Sequence, residues 1–505
     1  MLRAVEMSYQ YPSADTPNLD GVSLEAKGGQ LVVLAGPTGS GKSTLLRMLA
    51  GLTQRHGQGR HRGEVSLDGL DIPSMSPAQR AQHLAFVSQS PEDQLVCQTV
   101  LDELCFGLEN AGAPVETIEQ TASDWLTKVG LSCSPSHRTA AMSGGEQQRL
   151  VVGSAMAAGA RLVLLDEPLA QLDPQGAAEL VTLMGQLASD GCTVIVAEHR
   201  LPMLWDVADR LMVMQNGRLV SDTPVNTAPL SVLRSLGLAI PPLLDFHAAR
   251  NGRPASFRPV TSTSGTTPQP GPAFTIEPAR VVYEGAAQPA LETAELQVSP
   301  GERVAILGPN GSGKSTLLRH IRDSTGRRSV MVPQNADLTL FNPTVRDEIA
   351  FGPRERGIGT ADVLARVHRT SGALGLEPLL DRAPHGLSMG QRVRLAVASA
   401  LSCGADLLIL DEPTSGQDAG QLQDMMAALS ADVGHDTLIF STHDVRMALL
   451  HSTRVILMEQ GSISFDGRPE SAMDLLKHLD PWVAFCHSHG LPMLTPAQAA
   501  EQLHD

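Results

Sequence analysis

The sequence predicts an α/β fold, built twice in tandem around two P-loops. Three observations carry that expectation. A glycine-rich phosphate loop occurs twice, as "GPTGSGKS" at Gly36–Ser43 and "GPNGSGKS" at Gly308–Ser315. Each follows a strand-like apolar run ("QLVVLAG", "RVAILG") and opens a helical pattern, the context such a loop needs. Further on, "RLVLLDEP" and "DLLILDEP" read as buried parallel strands with carboxylates at their C-terminal ends, where α/β sheets bind ligands.

At 505 residues the chain is too long for one ordinary core. The phrase "LAGPTGSGKSTLLRMLAG" at 34–51 recurs as "LGPNGSGKSTLLRHIRD" at 307–323, and "LVLLDEPLAQLD" recurs as "LLILDEPTSGQD". Lys42 and Lys314 lie 272 positions apart, whereas Gln89 and Gln334, Ser143 and Ser388, and Asp166 and Asp411 each lie 245 apart. The second copy has therefore lost a segment between Lys314 and Gln334. The matching part of the first copy holds the strand-like "GEVSLDGLDI", so a small β element is expected to be trimmed. Residues 1–240 are the first domain, 241–272 a Pro/Ser/Thr-rich linker, 273–480 the second domain and 481–505 a helical tail with Thr495 as a cap.

Formal net charge is −16, a poor match for a nucleic-acid binder, which needs basic surface. The six cysteines form no C-x-x-C pair, which fits a reducing compartment rather than a zinc site or a disulfide framework. The opening "MLRAVEMSYQYP" lacks the apolar stretch of a signal peptide, and no apolar run approaches the roughly 20 residues of a membrane span. A soluble chain, reaching any membrane through partners, is expected.

The phosphate loops place Gly36, Pro37, Thr38, Gly39, Ser40, Gly41, Lys42, Ser43 and Thr44, and Gly308, Pro309, Asn310, Gly311, Ser312, Gly313, Lys314, Ser315 and Thr316, around a nucleotide. Glycines let backbone N–H groups converge on phosphate oxygens, the lysine supplies a cation, and the serine hydroxyl ligates Mg²⁺. Asp166 and Asp411 are expected to hold Mg²⁺, and Glu167 and Glu412 to orient or deprotonate the attacking water.

"MSGGEQQR" at Met142–Arg149 and "LSMGQRVR" at Leu387–Arg394 precede the two acidic strands. This phrase, with both phosphate loops, resembles the ATP-binding cassette (ABC) ATPases across nearly the whole chain. The resemblance implies two tandem P-loop ABC nucleotide-binding domains. Each would have a RecA-like α/β core, a small antiparallel β region and a helical signature subdomain. It implies that Ser143, Gly144, Gly145, Ser388, Gly390 and Gln391 contact ATP as signature residues. Gln89 and Gln334 resemble Q-loop glutamines that also approach the metal. Asp173 and Asp418 resemble D-loop aspartates, and His199 and His443 switch histidines. Tyr11 and Tyr283, each 31 positions before its loop lysine, resemble the aromatic that stacks on adenine. In this family two cassettes pair head to tail, which would set Met389 opposite the first phosphate loop. Methionine there, restricting φ where Gly144 does not, points to unequal sites.

The shared phrase T-V-x-(D/E)-E-(I/L)-x-F-G at Thr99–Gly107 and Thr344–Gly352 is similar to energy-coupling-factor (ECF) importer cassettes. "AEHR" and "IPPLLDFHAARNG", which closes the first copy, agree with it. That resemblance implies ATP and Mg²⁺ as cofactors and uptake of a vitamin, vitamin precursor or transition metal. It also implies transmembrane (T) and substrate-binding (S) partners at the cytoplasmic membrane face. The segments Val100–Gly107 and Val345–Gly352 would dock on the membrane partner as loop-prone stretches. An ABC-F-like translation factor and the tandem ATPase of another ABC importer are the alternatives.

Overall fold

A computed structural model describes every residue except 13, 15, 54–58, 111, 171, 252–273, 284–287, 327, 328, 415, 416, 418, 431–436 and 503–505. Two compact units divide the chain, Met1–Pro241 and Pro242–Asp505.

In the first unit a six-stranded sheet runs in the order Arg218–Pro224, Arg210–Gln215, Leu31–Ala35, Thr193–Ala197, Leu162–Asp166, Leu84–Val87. Neighbours are parallel except the hairpin that starts the order. Leu31–Ala35, Leu162–Asp166 and Thr193–Ala197 are buried along their whole length, which is why their sequences are continuously apolar rather than alternating. The second unit repeats the order as Ser462–Gly467, Arg454–Glu459, Arg303–Leu307, Thr437–Thr442, Leu407–Leu410, Ser329–Val332.

A four-stranded antiparallel sheet, ordered Leu19–Ala26, Leu2–Gln10, Arg60–Leu67, Leu70–Asp71, completes the first unit's β structure. In the second unit this region is two short ladders, Phe274–Ile276 with Leu296–Val298 and Ala279–Val281 with Leu291–Thr293. Only residues 326–328 join the helix Lys314–Thr325 to the strand Ser329–Val332, where the first unit inserts Arg60–Leu67 and Leu70–Asp71. The shortening removes an edge of the small sheet and spares the parallel core.

Helices Val100–Asn110, Val115–Lys128 and Gly144–Ala157 pack on one another in the first unit, and Val345–Glu355, Thr360–Ala373 and Met389–Ser402 do so in the second. Residues 242–251 depart from the expected linker. They form the helix Pro242–Asn251, which belongs to the second unit rather than closing the first. Phe246 drives this, buried with its ring centroid 5.7 Å from Trp482 and 4.9 Å from Phe485. Residues 252–272 of the expected linker lie outside the described residues. The tail holds two helices, Pro481–Ser488 and Pro496–Gln502. Thr495 Oγ1 caps the latter, accepting from the Gln498 N–H at 3.4 Å. Among the described residues no helix is long and apolar enough to cross a membrane.

Candidate nucleotide-binding sites

Both phosphate loops join a buried strand to a helix whose first residue is the lysine. The residue before it must be glycine. Gly41 has φ +103° and a Cβ there would lie 2.6 Å from the Asn18 carbonyl oxygen; Gly313 has φ +99° and the same crowding against Ala290. Lys42 Nζ donates to the carbonyls of Gly36 (2.7 Å) and Pro37 (3.2 Å). Lys314 Nζ does the same to Gly308 (2.8 Å) and Pro309 (3.1 Å). Each cation is thus held inside a ring of backbone at a helix N-terminus, the arrangement that receives phosphates. Ser40 Oγ and Ser312 Oγ are buried there with no hydrogen-bond partner among the described residues.

The acidic pairs close the strands beside these loops. Glu167 and Glu412 both have left-handed backbone, φ +48° and +50°, a strained turn for glutamate that recurs at the same place in both units. In the first unit Ser43 Oγ donates to Asp166 Oδ1 at 2.8 Å. In the second, Asp411 Oδ1 accepts instead from Ser441 Oγ at 2.7 Å, and Ser441 also accepts from the Glu412 N–H at 2.9 Å. The hydroxyl and carboxylate oxygens of Ser43 and Asp166 are the hard donors Mg²⁺ takes. Among the described residues no cluster of three or more metal-ligating side chains exists. An ion shared with phosphates suits such a sparse protein donor set.

The glutamates sit in unlike surroundings. Burial pushes the Glu167 pKa up, opposed by His199 and reinforced by the Glu198 charge. Burial also raises Asp166, against the Ser43 hydrogen bond and the charges of Arg47 and Lys42. Burial works on Glu412 too, but the His443 hydrogen bond and the charges of His443 and Lys314 outweigh it and bring its pKa below the ordinary value. The distances agree. His443 Nδ1 is 3.0 Å from Glu412 Oε2, and Lys314 Nζ is 3.7 Å from Glu412 Oε1. His199 Nδ1 is 3.9 Å from Glu167 Oε1 and closer, 3.5 Å, to Glu198 Oε1.

Gln89 Nε2 donates to Glu167 Oε2 at 3.2 Å, so the first unit brings this glutamine onto its strand-end carboxylate; Gln334 is exposed. Asp173 caps the helix Pro174–Ser189, accepting from the Gly176 N–H at 2.8 Å. Asp418 lies outside the described residues. Tyr11 and Tyr283 lie against the helices that follow the phosphate loops. Their hydroxyls are 3.5 Å from Thr44 Oγ1 and 3.2 Å from Thr316 Oγ1, and Tyr283 is exposed.

Ser143 and Ser388 are helix N-caps with closely matching backbone, φ −66° and ψ 156° against φ −66° and ψ 162°. Each forms a capping box, with Glu146 and Gln391 respectively. This corrects one expectation. Gly144 and Met389 both occupy the first helical position, where no positive φ is needed, and a Cβ at Gly144 would meet nothing within 4 Å. Methionine therefore does not distort the turn.

The segments expected to be loop-prone are instead the opening turns of Val100–Asn110 and Val345–Glu355. The repeated phrase then reads physically. Thr99 and Thr344 accept from the N–H groups of Asp102 and Asp347. Val100 and Val345 are buried, while Phe106 and Phe351 are 43% and 38% exposed. Gly107 and Gly352 sit where a Cβ would press on the Ser154 carbonyl or collide with Cys403 Sγ. Glycine lets the helix cross closely while phenylalanine faces outward.

Four residues with evident roles escaped the sequence reading. Glu103 and Glu348, 3% and 1% exposed, each accept two consecutive backbone N–H groups, from Val96 and Cys97 (3.0 and 2.8 Å) and from Phe341 and Asn342 (2.9 and 2.8 Å). Their recurrence inside the repeated phrase was the available signal. The other two, Glu198 and Ser441, flank the histidines at non-equivalent positions, so the repeat gave no signal for them.

The family described as ABC transporter matches residues 19–170 and 291–415. A protein of Methanosarcina mazei is 32% identical, over 94% of this chain and 90% of its own. One of Streptomyces coelicolor is 33% identical, over 92% of this chain and 94% of its own. Both are named, by inference, ABC transporter ATP-binding proteins. Among solved structures, the archaeal ribosome recycling factor aABCE1, crystallised with the stalk protein aP1, is similar with a TM-score of 0.60 at 20% identity, covering 94% of this chain and 92% of that one. That likeness is one of fold alone.

Proposed function

Because the chain belongs to the ABC transporter family, and so is an ATPase working with ATP and Mg²⁺, we propose that it is the ATP-hydrolysing subunit of an ECF-type importer. Its partners on this reading are a membrane-embedded T component and an S component that carries a vitamin, vitamin precursor or transition metal. It works at the cytoplasmic membrane face. The observation that carries the reading is the repeated helix that follows Gln89 or Gln334 in the chain, with Phe106 or Phe351 outward and Gly107 or Gly352 against the signature helix or its C-cap. An exposed aromatic on a rigid helix is the kind of anchor a protein partner uses.

In each site, on this proposal, the loop backbone and Lys42 or Lys314 bind the phosphates. Ser43 with Asp166, and Ser315 with Asp411, hold Mg²⁺, which neutralises phosphate charge when bound. Glu167 and Glu412 take the proton of the attacking water, and His199 and His443 face the γ-phosphate.

The test is copurification of the full chain from membranes with the proteins that accompany it. The wild type is expected to bring membrane components, and Phe106→Asp with Phe351→Asp to lose them while retaining ATP binding. Ribosomes in place of membrane components, or undiminished recovery by the double variant, would contradict the reading.

A further inference from the structure

The turn bearing His199 differs in construction from the one bearing His443. Glu198 is 0% exposed, and its carboxylate is spent on backbone. Oε1 accepts from the N–H groups of His199 (2.8 Å) and Arg200 (3.1 Å), and Oε2 from the N–H of Leu169 (3.2 Å). Arg200 completes the link, Nη1 donating to the carbonyls of Leu169 (2.6 Å) and Leu172 (3.4 Å). Leu169 lies two residues after Glu167, and Leu172 immediately precedes the helix cap Asp173. Two oppositely charged side chains therefore tie the histidine turn to the segment between the strand-end glutamate and that cap. The second unit has Thr442 and Asp444 at these places, where Thr442 Oγ1 accepts from the Asp444 N–H at 3.0 Å and Asp444 Oδ1 from the Met447 N–H at 3.0 Å. An aspartate has no donor for the carbonyls that Arg200 engages.

We propose that Glu198 and Arg200 are positioning residues that fix His199, Leu169 and Leu172 as one body, a brace of the first ATP site. Removing one strut leaves buried backbone groups unpaired and lets His199 drift, and a misplacement of about 1 Å can cost on the order of a hundredfold in rate. The proposal rests on the switch role given above to His199.

The test uses the full chain carrying Glu412→Gln, so that hydrolysis reports the first site. Glu198→Gln keeps size and one acceptor but presents an amide N–H₂ to the Leu169 N–H. It is expected to lower kcat about tenfold with the KM for ATP unchanged. Arg200→Ala should lower it similarly, Arg200→Lys should restore much of the loss, and Glu198→Gln with Arg200→Ala should be no worse than either alone, as for two parts of one link. An unchanged kcat, or additive losses accompanied by a rising KM and a falling melting temperature, would overturn the brace. His199→Ala is measured beside them: abolished turnover is expected, and a normal rate would overturn the switch assignment and the brace with it.

Discussion

Glu412 and His443 are joined directly, Oε2 to Nδ1 at 3.0 Å, whereas Glu167 stands 3.9 Å from His199 and shares it with Glu198. The two strand-end glutamates of one chain thus differ in how firmly a histidine holds them, and on the proposed function, where they act as general bases, such preorganisation matters to catalysis. Backbone strain at Met389 does not account for the difference, since it shares the first helical position with Gly144 and neither has a positive φ.

The pH dependence should separate the sites. Burial raises the Glu167 pKa, so this carboxylate loses its negative charge at a higher pH as the solution is acidified. The histidine and lysine around Glu412 outweigh burial and keep it ionised to lower pH. In pH–rate profiles, the acid limb of the Glu412→Gln variant, which reports the first site, is expected at higher pH than that of Glu167→Gln. Coincident limbs would contradict the difference in surroundings.

Lys42→Ala with Lys314→Ala should weaken ATP binding at least tenfold, since a charge-assisted hydrogen bond contributes about 1.5–3 kcal/mol. Equilibrium binding of a fluorescent ATP analogue checks this. An unchanged dissociation constant would remove both lysines from the phosphate sites.

Gly352→Val drives a side chain into Cys403, and overpacking of this kind costs about 1–3 kcal/mol. The melting temperature of the full chain should fall by several degrees. Phe351→Asp, on the exposed side of the same helix, should leave it nearly unchanged. A fall of equal size in both would mean that Phe351 is part of the core.

Met389→Gly is expected to change the relative activities of the two sites less than twofold. The same two glutamate-to-glutamine backgrounds provide the measurement, and a larger change would return the methionine to the account.

Much of this was legible in the sequence because the repeat printed it twice. The loop glycines, the acidic strand ends and the trimmed β region all follow from paired landmarks. What was not legible lay where the copies diverge or where context misled. Pro242–Asn251 borders a Pro/Ser/Thr-rich stretch, yet Phe246 finds its core more than 200 residues away at Trp482. The phrase ending in Phe-Gly reads as loop-prone from its place after the Q-loop, and only the close crossing at Ser154 or Cys403 explains a glycine inside a helix. Glu198 has no counterpart in the repeat, and its partners are backbone N–H groups that no side-chain pattern reveals.

The most direct test of two unequal ATP sites is the steady-state hydrolysis rate of Glu167→Gln and Glu412→Gln, each as a single substitution in the full chain. The bonded Glu412–His443 pair predicts that Glu412→Gln removes most of the turnover, at least fivefold more than Glu167→Gln removes, on the scale of losing one preorganised contact. Equal losses from the two substitutions would contradict it.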